Sequence, residues 1–326
     1  MNMMTMQYKE DAERQVRDLR LDIGIHLEPK IHTMDKKLVI NVAVCGAFLT
    51  KEHNPSEAVT PKEIAENVIE SYKAGASIWH VHTRDEQGRF ETNPDLTRET
   101  LDRVLDQCPD MLLSHTGHAD PTAQGVDRIK PLVDPLVEAS QKYGREYIHS
   151  VVIAPYVRAY NIQMNRGLLQ GIVNFLQSRN VKPEFQIHNY PCILHVDKWL
   201  IEENVLDKPY LMNLIAGYHG YEISAPTAPD PWGQLYFMSM MNLLPEGCVI
   251  GATIGGRNWL PMITEAIILG VDCVRIGMED AVYMYPHKDE MISHCADTVT
   301  KVRRIAEELG REIATPKEAR KVLGID

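Results

Sequence analysis

Two short stretches of this chain carry residue types that could do chemistry together. The first is SIWHVHTRDEQG, residues 77–88, where His80 and His82 stand one residue apart at the end of an apolar run. Side chains alternate faces along a strand, so both imidazoles point the same way. The second is CVRIGMEDAVY, residues 273–283, where Arg275, Gly277 and Glu279 share a face, Gly277 leaves room for a ligand or side chain to approach, and Asp280 follows. A His-x-His pair alone is weak evidence of a metal, because a histidine at a strand end is more often an ordinary polar residue. Glu279 changes that estimate. Two imidazoles and one carboxylate suit Zn2+ or another divalent metal and leave a fourth position open for substrate, the arrangement of a catalytic site. The bland reading of Arg275 and Asp280 is a structural ion pair at the rim of the fold.

Such residues meet only if the elements that carry them converge. KLVINVAVC, from residue 37, is a β-branched apolar run that reads as a strand buried on both faces. TPKEIAENVIESYKAG follows, with Thr60 as N-cap, Pro61 at the first helical position, Glu63 completing a capping box and Gly75 past the end. ASIWHVH is the second strand, a helix is expected near 94–107, and DMLLSHT is the third strand. Further runs recur at EYIHSVVIA, PEFQIHN, PYLMNLIAG, GCVIGATIG and DCVRIGME, which makes eight strands, most followed by a helix. This alternation predicts parallel strands with right-handed crossovers, and eight units favour a closed α/β (β/α)8 TIM barrel over an open doubly wound sheet. No GxGxxG or Walker motif supports the open sheet. TPKEIAENV at 60 and TPKEARKVL at 315 look like a repeat but read better as two independent helix starts. Residues 1–35 form an N-terminal extension, helix-prone from Tyr8 to Leu21 and then linker-like, ahead of a barrel domain over 36–326. In a parallel barrel the active site gathers at the C-terminal strand ends, where the second and last strands both flank the first.

Composition narrows the partners. A net charge of −11 argues against nucleic acid and anionic membrane surfaces. No apolar stretch reaches bilayer length and the N-terminus lacks the order of a secretory signal, so a soluble, cytoplasmic protein is expected. The six cysteines are scattered without a CxxC pair, which suits reduced thiols and leaves any metal to His and carboxylate.

Taken together, the chain resembles the β-keto acid cleavage enzymes. The likeness runs from about Leu38 to Leu323 and rests on NVAVCGA (41–47), VTPKEIAENV (59–68), AGASIWHVHTRDEQGR (74–89), TIGGRNW (253–259), VRIGMEDAVY (274–283) and GREIATPKEARKVLGI (310–325). The order His-x-His-x-Arg-Asp, then Arg-x-Gly-x-Glu-Asp, is specific. The resemblance implies a (β/α)8 barrel holding one divalent metal, usually zinc, on His80, His82 and Glu279. It implies conversion of a β-keto acid and acetyl-CoA to acetoacetate and a new acyl-CoA, in a homo-oligomer that is commonly a tetramer. It matches Asp280 to the family's catalytic aspartate, the base that would create a carbon nucleophile from acetyl-CoA, with Arg275 orienting it. Acetyl-CoA as co-substrate rests on the resemblance alone.

Several positions depart from the family pattern. Family members that cleave 3-keto-5-aminohexanoate carry a glutamate for the ammonium group where this chain has Phe48, in CGAFLT. An aromatic ring cannot replace that carboxylate, so a different substrate is expected, with Phe48 lining an apolar pocket, meeting a quaternary ammonium or simply packing under a loop. SHTGH (114–118) stands at the Ser/Thr-rich motif, with Thr116 as donor to a substrate carboxylate and His115 and His118 as unusual additions that fit best as solvated loop residues. Ser150 aligns loosely with a substrate-contacting threonine. Gln186 replaces an acid, Glu184 is retained inside the barrel, and His188 is a candidate substrate contact. Arg257, in IGGRN, is a candidate at the mouth of the seventh strand. The alternative functions are an amidohydrolase-type metal-dependent hydrolase, which places its His-x-His on the first strand, and a non-catalytic binding barrel.

Overall fold

The computed structural model describes residues 10–14, 16, 30–85, 87–117, 124–143, 150–155, 164–217 and 232–325. Of the expected extension, residues 10–14 and 16 are helical and His32–Asp35 form a 3-10 turn. Residues 1–9, 15 and 17–29 of that extension, and His118, lie outside the described residues.

Eight parallel strands close into a barrel in sequence order. They are β1 (Val39–Cys45), β2 (Ile78–Val81), β3 (Leu112–His115), β4 (Ser150–Ile153), β5 (Lys182–Ile187), β6 (Tyr210–Ala216), β7 (Cys248–Ile254) and β8 (Cys273–Ile276). The helices are α1 (Pro61–Ala74), α2 (Pro94–Leu105), α3 (Lys130–Lys142), α4 (Arg166–Gln177), α5 (Tyr190–Val196), α6 (Trp232–Met241), α7 (Trp259–Ile268), α8 (Cys295–Glu308) and α9 (Pro316–Leu323). β8 pairs with β1 and β1 with β2, so the strand carrying Arg275 and the strand carrying His80 share one neighbour. Among the described residues no helix is long and apolar enough to cross a membrane.

The helix starts follow their local chemistry. Thr60 and Thr315 each form a capping box, with Glu63 and Glu318 respectively, and each is followed by proline. α1 turns Ile64, Ala65, Val68 and Ile69 inward and ends on Gly75, whose φ of 121° a side chain would resist. The two TPKE segments are therefore separate helix starts with different tasks. α1 is an outer crossover helix. α9 closes the floor of the barrel, where Ala314, Ala319, Leu323 and Ile325 pack with Val39, Ile78, Leu112, Leu211 and Val249.

Arg311 ties this floor to the strands. It is fully buried, and its guanidinium donates from Nε to the Lys36 carbonyl at 2.8 Å, from Nη1 to the Ile267 carbonyl at 3.1 Å and from Nη2 to the Val271 carbonyl. The planar fork reaches the three carbonyls from three separate nitrogens, whereas a lysine offers its three donors from one atom.

Arg311→Ala removes a donor from three carbonyls, of which that of Ile267 keeps its bond from the Gly270 N–H, so the other two carry the cost, at about 1–3 kcal/mol each. Chemical denaturation should therefore show a loss of at least about 2 kcal/mol, of which Arg311→Lys restores only part. Wild-type stability in Arg311→Lys would show that the fork is not what matters.

Candidate metal centre

His80 lies on β2 opposite Ala43 of β1 and Ser114 of β3. His82 follows the strand end, its backbone N–H donating to the Cys45 carbonyl at 2.8 Å. Glu279 lies just past β8, and its N–H donates to the Ala43 carbonyl at 3.2 Å, which swings it over the end of β1. Its carboxylate then meets both rings, Oε2 at 3.4 Å from His80 Nε2 and Oε1 at 3.4 Å from His82 Nε2. The imidazole planes cross at 70° with centroids 5.2 Å apart, and the Phe90 ring stands edgewise to His82.

Two backbone positions make this convergence possible. A Cβ on Gly46 would stand 2.5 Å from Glu279 Cγ, so the missing side chain is the space that Glu279 occupies. Gly277 has φ of 145°, and a Cβ there would meet the Ala43 carbonyl oxygen at 2.2 Å. The room expected at Gly277 is thus filled by the neighbouring backbone rather than by a ligand or side chain.

These donors fit a divalent metal. One ligand atom from each of His80, His82 and Glu279 falls within 4.8 Å of the others. Neither ring nitrogen of His80 has a hydrogen bond among the described residues, although the ring is 1% exposed. Glu279 Oε2 is likewise buried without one. Buried polar atoms are normally satisfied, and orphans at one point indicate a missing partner. Two nitrogens and a carboxylate oxygen suit zinc with an open position. Burial pushes the His80 imidazole well below its usual range, and the Arg275 charge adds to that, so it is neutral and able to ligate. Burial works against ionised Glu279, but the Arg275 charge, helped by a hydrogen bond from His82, counters it, and the carboxyl is held below its usual range.

Asp280 sits against the same arginine. Arg275 donates to both of its oxygens, Nε to Oδ2 at 3.1 Å and Nη2 to Oδ1 at 2.6 Å, and to Glu279 Oε1 at 3.2 Å. The pair is buried, with side-chain exposures of 3% and 1%, so it is not a solvent-facing rim contact. Beneath, a polar chain crosses the lumen. Ser114 Oγ donates to Glu184 at 2.7 Å, Asn213 Nδ2 donates to Glu184 at 3.1 Å, and Thr253 Oγ1 donates to Asn213 at 2.9 Å.

The other sequence candidates scatter more widely. Thr116 is buried just past β3, two residues beyond lumen-facing Ser114. The Ser150 backbone opens β4 opposite Ser114 and Lys182; its side chain is outside what the structure describes. His188 is buried past β5, with Nε2 3.4 Å from Gln186 Oε1. Phe48 is half exposed past β1. Arg257 stacks on the Tyr283 ring at 3.7 Å and donates to the Lys288 carbonyl and Asp289, so its guanidinium is already engaged. His115 corrects an expectation: it is fully buried rather than solvated, on the outer face of β3, with Nε2 3.3 Å from Thr97 Oγ1 of α2.

One acid was not anticipated. Glu57, before α1, is 1% exposed, and neither carboxylate oxygen has a hydrogen bond among the described residues. Burial pushes its carboxyl up to about 8, against the lowering pull of Arg84. Its loop carries no periodicity that would mark a buried position.

Comparison with known proteins adds an independent line. The sequence model of the beta-keto acid cleavage enzyme family matches residues 37–325. The chain is 32% identical over 297 residues to a 3-keto-5-aminohexanoate cleavage enzyme of Fusobacterium nucleatum subsp. nucleatum, covering 90% of this chain and 99% of that protein. It is 27% identical over 310 residues to a 3-dehydrocarnitine:acetyl-CoA trimethylamine transferase of Rhizobium meliloti, covering 89% and 97%. In structure it resembles the apo structure of ObcA, with a TM-score of 0.66 and 18% identity, covering 83% of this chain and 66% of that one. That last likeness bears on the fold alone.

Two outcomes follow from this geometry. Gly46→Ala should keep the barrel but weaken zinc binding at least about tenfold by titration, because the new methyl displaces Glu279; unchanged affinity would refute the close-approach argument. Glu57 has a folded-state value raised from about 4.5 to about 8, so its contribution to stability is full below about 4.5 and is lost as pH rises through about 8. Thermal melts of metal-free Glu57→Gln should fall less between pH 5 and pH 9 than those of wild type. Parallel curves would show that Glu57 is not buried as described.

Proposed function

Because the chain belongs to the beta-keto acid cleavage enzyme family, we propose that it is a zinc-dependent member that converts a β-keto acid and acetyl-CoA to acetoacetate and a new acyl-CoA. The observation that carries this reading is the meeting of His80, His82 and Glu279 within 4.8 Å beside the buried Arg275–Asp280 pair. The relatives whose names include acetyl-CoA as co-substrate support the second reactant.

His80, His82 and Glu279 would hold the metal, and when bound it supplies Lewis-acid polarisation of the keto group. Atom balance identifies the nucleophile. Acetoacetate retains the CH2–COO− part of the substrate and gains the acetyl group, so the carbon that must lose a proton is C2 of the β-keto acid. This revises the expectation that acetyl-CoA supplies the carbon nucleophile. Asp280 is the base for that proton, its carboxylate aimed by two hydrogen bonds from Arg275. C2 bonds to the acetyl carbonyl carbon and the thiolate of CoA leaves. The same thiolate then attacks the original keto carbon, the bond from that carbon to C2 breaks, and protonated Asp280 returns the proton to C2. Thr116, buried just past β3, would receive the substrate carboxylate. His188 serves the acyl end, with Phe48 at the rim. Phe48 stands where an ammonium-binding carboxylate would be needed, which supports a substrate other than 3-keto-5-aminohexanoate. Exposed Leu235, Met238 and Leu243 on and after α6 support the homo-oligomer carried by the resemblance, and the free, mostly buried cysteines support a cytoplasmic setting.

Asp280→Asn should lower acetoacetate formation by about a hundredfold or more while the purified protein keeps its zinc, and His80→Ala should lose the zinc. Acetoacetate should form only when acetyl-CoA is supplied. Normal turnover by Asp280→Asn would remove Asp280 from the mechanism, and release of products from a β-keto acid without CoA would favour hydrolysis.

A further inference from the structure

The acyl part of the substrate is what distinguishes one β-keto acid from another, and the upper lumen offers it an unusual pair. Alternation along β5 turns Glu184, Gln186 and His188 to the same side. Glu184 is already engaged by Ser114 and Asn213. Gln186 and His188 stand nearer the mouth, 3.4 Å apart. His188 is 8% exposed, and its Nδ1 has no hydrogen bond among the described residues. Its backbone is pinned from the other side, its carbonyl accepting from the Tyr236 hydroxyl at 3.1 Å. A buried nitrogen without a partner costs about 1–3 kcal/mol, which a ligand group can recover.

The charge state of this corner is equally informative. Burial and then the Arg275 charge push the His188 imidazole down to about 4, so near neutral pH it offers a donor and an acceptor but no charge. Among the described residues, the carboxylates at the strand ends around the upper lumen are Glu184, Glu279 and Asp280, while Glu57, in the loop after β1, is pushed up to about 8 by burial and is mostly protonated near neutral pH. The first is held by Ser114 and Asn213, the second faces the two histidines, and the third is gripped by Arg275. Among the described residues, a substrate ammonium therefore meets no ionised carboxylate reserved for it. A second substrate carboxylate meets no reserved guanidinium among them either, since Arg275 is bound to Asp280, Arg257 to Asp289 and Arg84 to the Gly88 and Leu49 carbonyls.

We propose that this chain selects β-keto acids whose acyl part carries an uncharged oxygen, a hydroxyl or a ketone, hydrogen-bonded to His188 Nδ1 while Gln186 holds the other side of the ring. The contact with Gln186 Oε1 puts the ring proton on Nε2 and leaves Nδ1 as an acceptor, which a hydroxyl satisfies by donating; a ketone needs the tautomer protonated at Nδ1, with the Gln186 amide turned so that its NH2 donates to Nε2. The inference rests on the β-keto acid reading above and adds the chemistry of the acyl end.

The test is a set of 3-oxohexanoates that differ only at carbon 5, bearing hydroxyl, oxo, methyl or amino, each assayed with acetyl-CoA for acetoacetate. The hydroxyl or oxo member should exceed the methyl and amino members in kcat/KM by at least about tenfold. In His188→Phe that ratio should collapse to within about threefold, and His188→Asn, which keeps a polar atom near the position of Nδ1, should retain part of it. A ratio between substrates is unaffected by an unfolded fraction, and should His188→Phe not fold, the wild-type ratio and His188→Asn still decide. Preference for the methyl or amino member, or an unchanged ratio in His188→Phe, overturns the inference while leaving the β-keto acid reading intact. Acetoacetate from no member of the set overturns that reading, and the inference with it.

Discussion

The structure depends on one close approach: a carboxylate brought against two imidazoles over the end of β1. Like all barrel contacts between first and last strands, it exists only because the sheet closes, with β8 and β2 on either side of β1. Closure alone would not be enough. Glu279 reaches His80 and His82 because Gly46 has no side chain and because the turn at Gly277 lets the chain lie against the Ala43 carbonyl. The result is a neutral imidazole and an ionised carboxylate in a desolvated cup, where burial would otherwise oppose the charge. Arg275 resolves that opposition by touching both Glu279 and Asp280.

The lumen is layered, and each layer obeys a different rule. At the floor, apolar side chains from the strands meet α9, and Arg311 holds the closing segment through three carbonyls. In the middle, Ser114, Glu184, Asn213 and Thr253 form a connected polar chain, which a low-dielectric interior tolerates because its members are paired. At the top the rule is broken: His80, His188 and Glu279 carry buried atoms without hydrogen bonds. Single orphaned atoms occur elsewhere, at Asn41, Ser71 and Trp79, but those of His80 and Glu279 face one another, where one ligand can offset the cost of both.

The same layering separates shared chemistry from individual specificity. The candidate metal ligands, Arg275 and Asp280 sit on β2 and β8 or just past their ends, next to the first strand. The residues proposed to select the acyl part, Gln186 and His188, come from the end of β5, across the lumen, and Phe48 from the rim. Changing the far wall can alter which acyl group is accepted without disturbing the centre, which is the usual economy of a scaffold whose strand ends all face one mouth.

Much of this was legible in the order of residues. Runs of β-branched residues and helix starts such as Thr60-Pro61 with Glu63 are local signals, because backbone preference and capping act over a few residues, and they sufficed for eight strands and a closed barrel. His80, His82 and Glu279 were legible too, since alternation along a strand assigns a face and neighbouring barrel strands assign proximity. What local pattern could not determine is which way residues at strand ends and in loops turn. Alternation turns His115 away from Ser114, but that it is covered there rests on α2, which supplies Thr97; Arg257 is occupied by Tyr283 and Asp289, and the space at Gly277 belongs to a backbone carbonyl. Glu57 is buried by segments distant in the chain. These outcomes are set by contacts between elements far apart in sequence, whose distances and desolvation exist only once the barrel has closed.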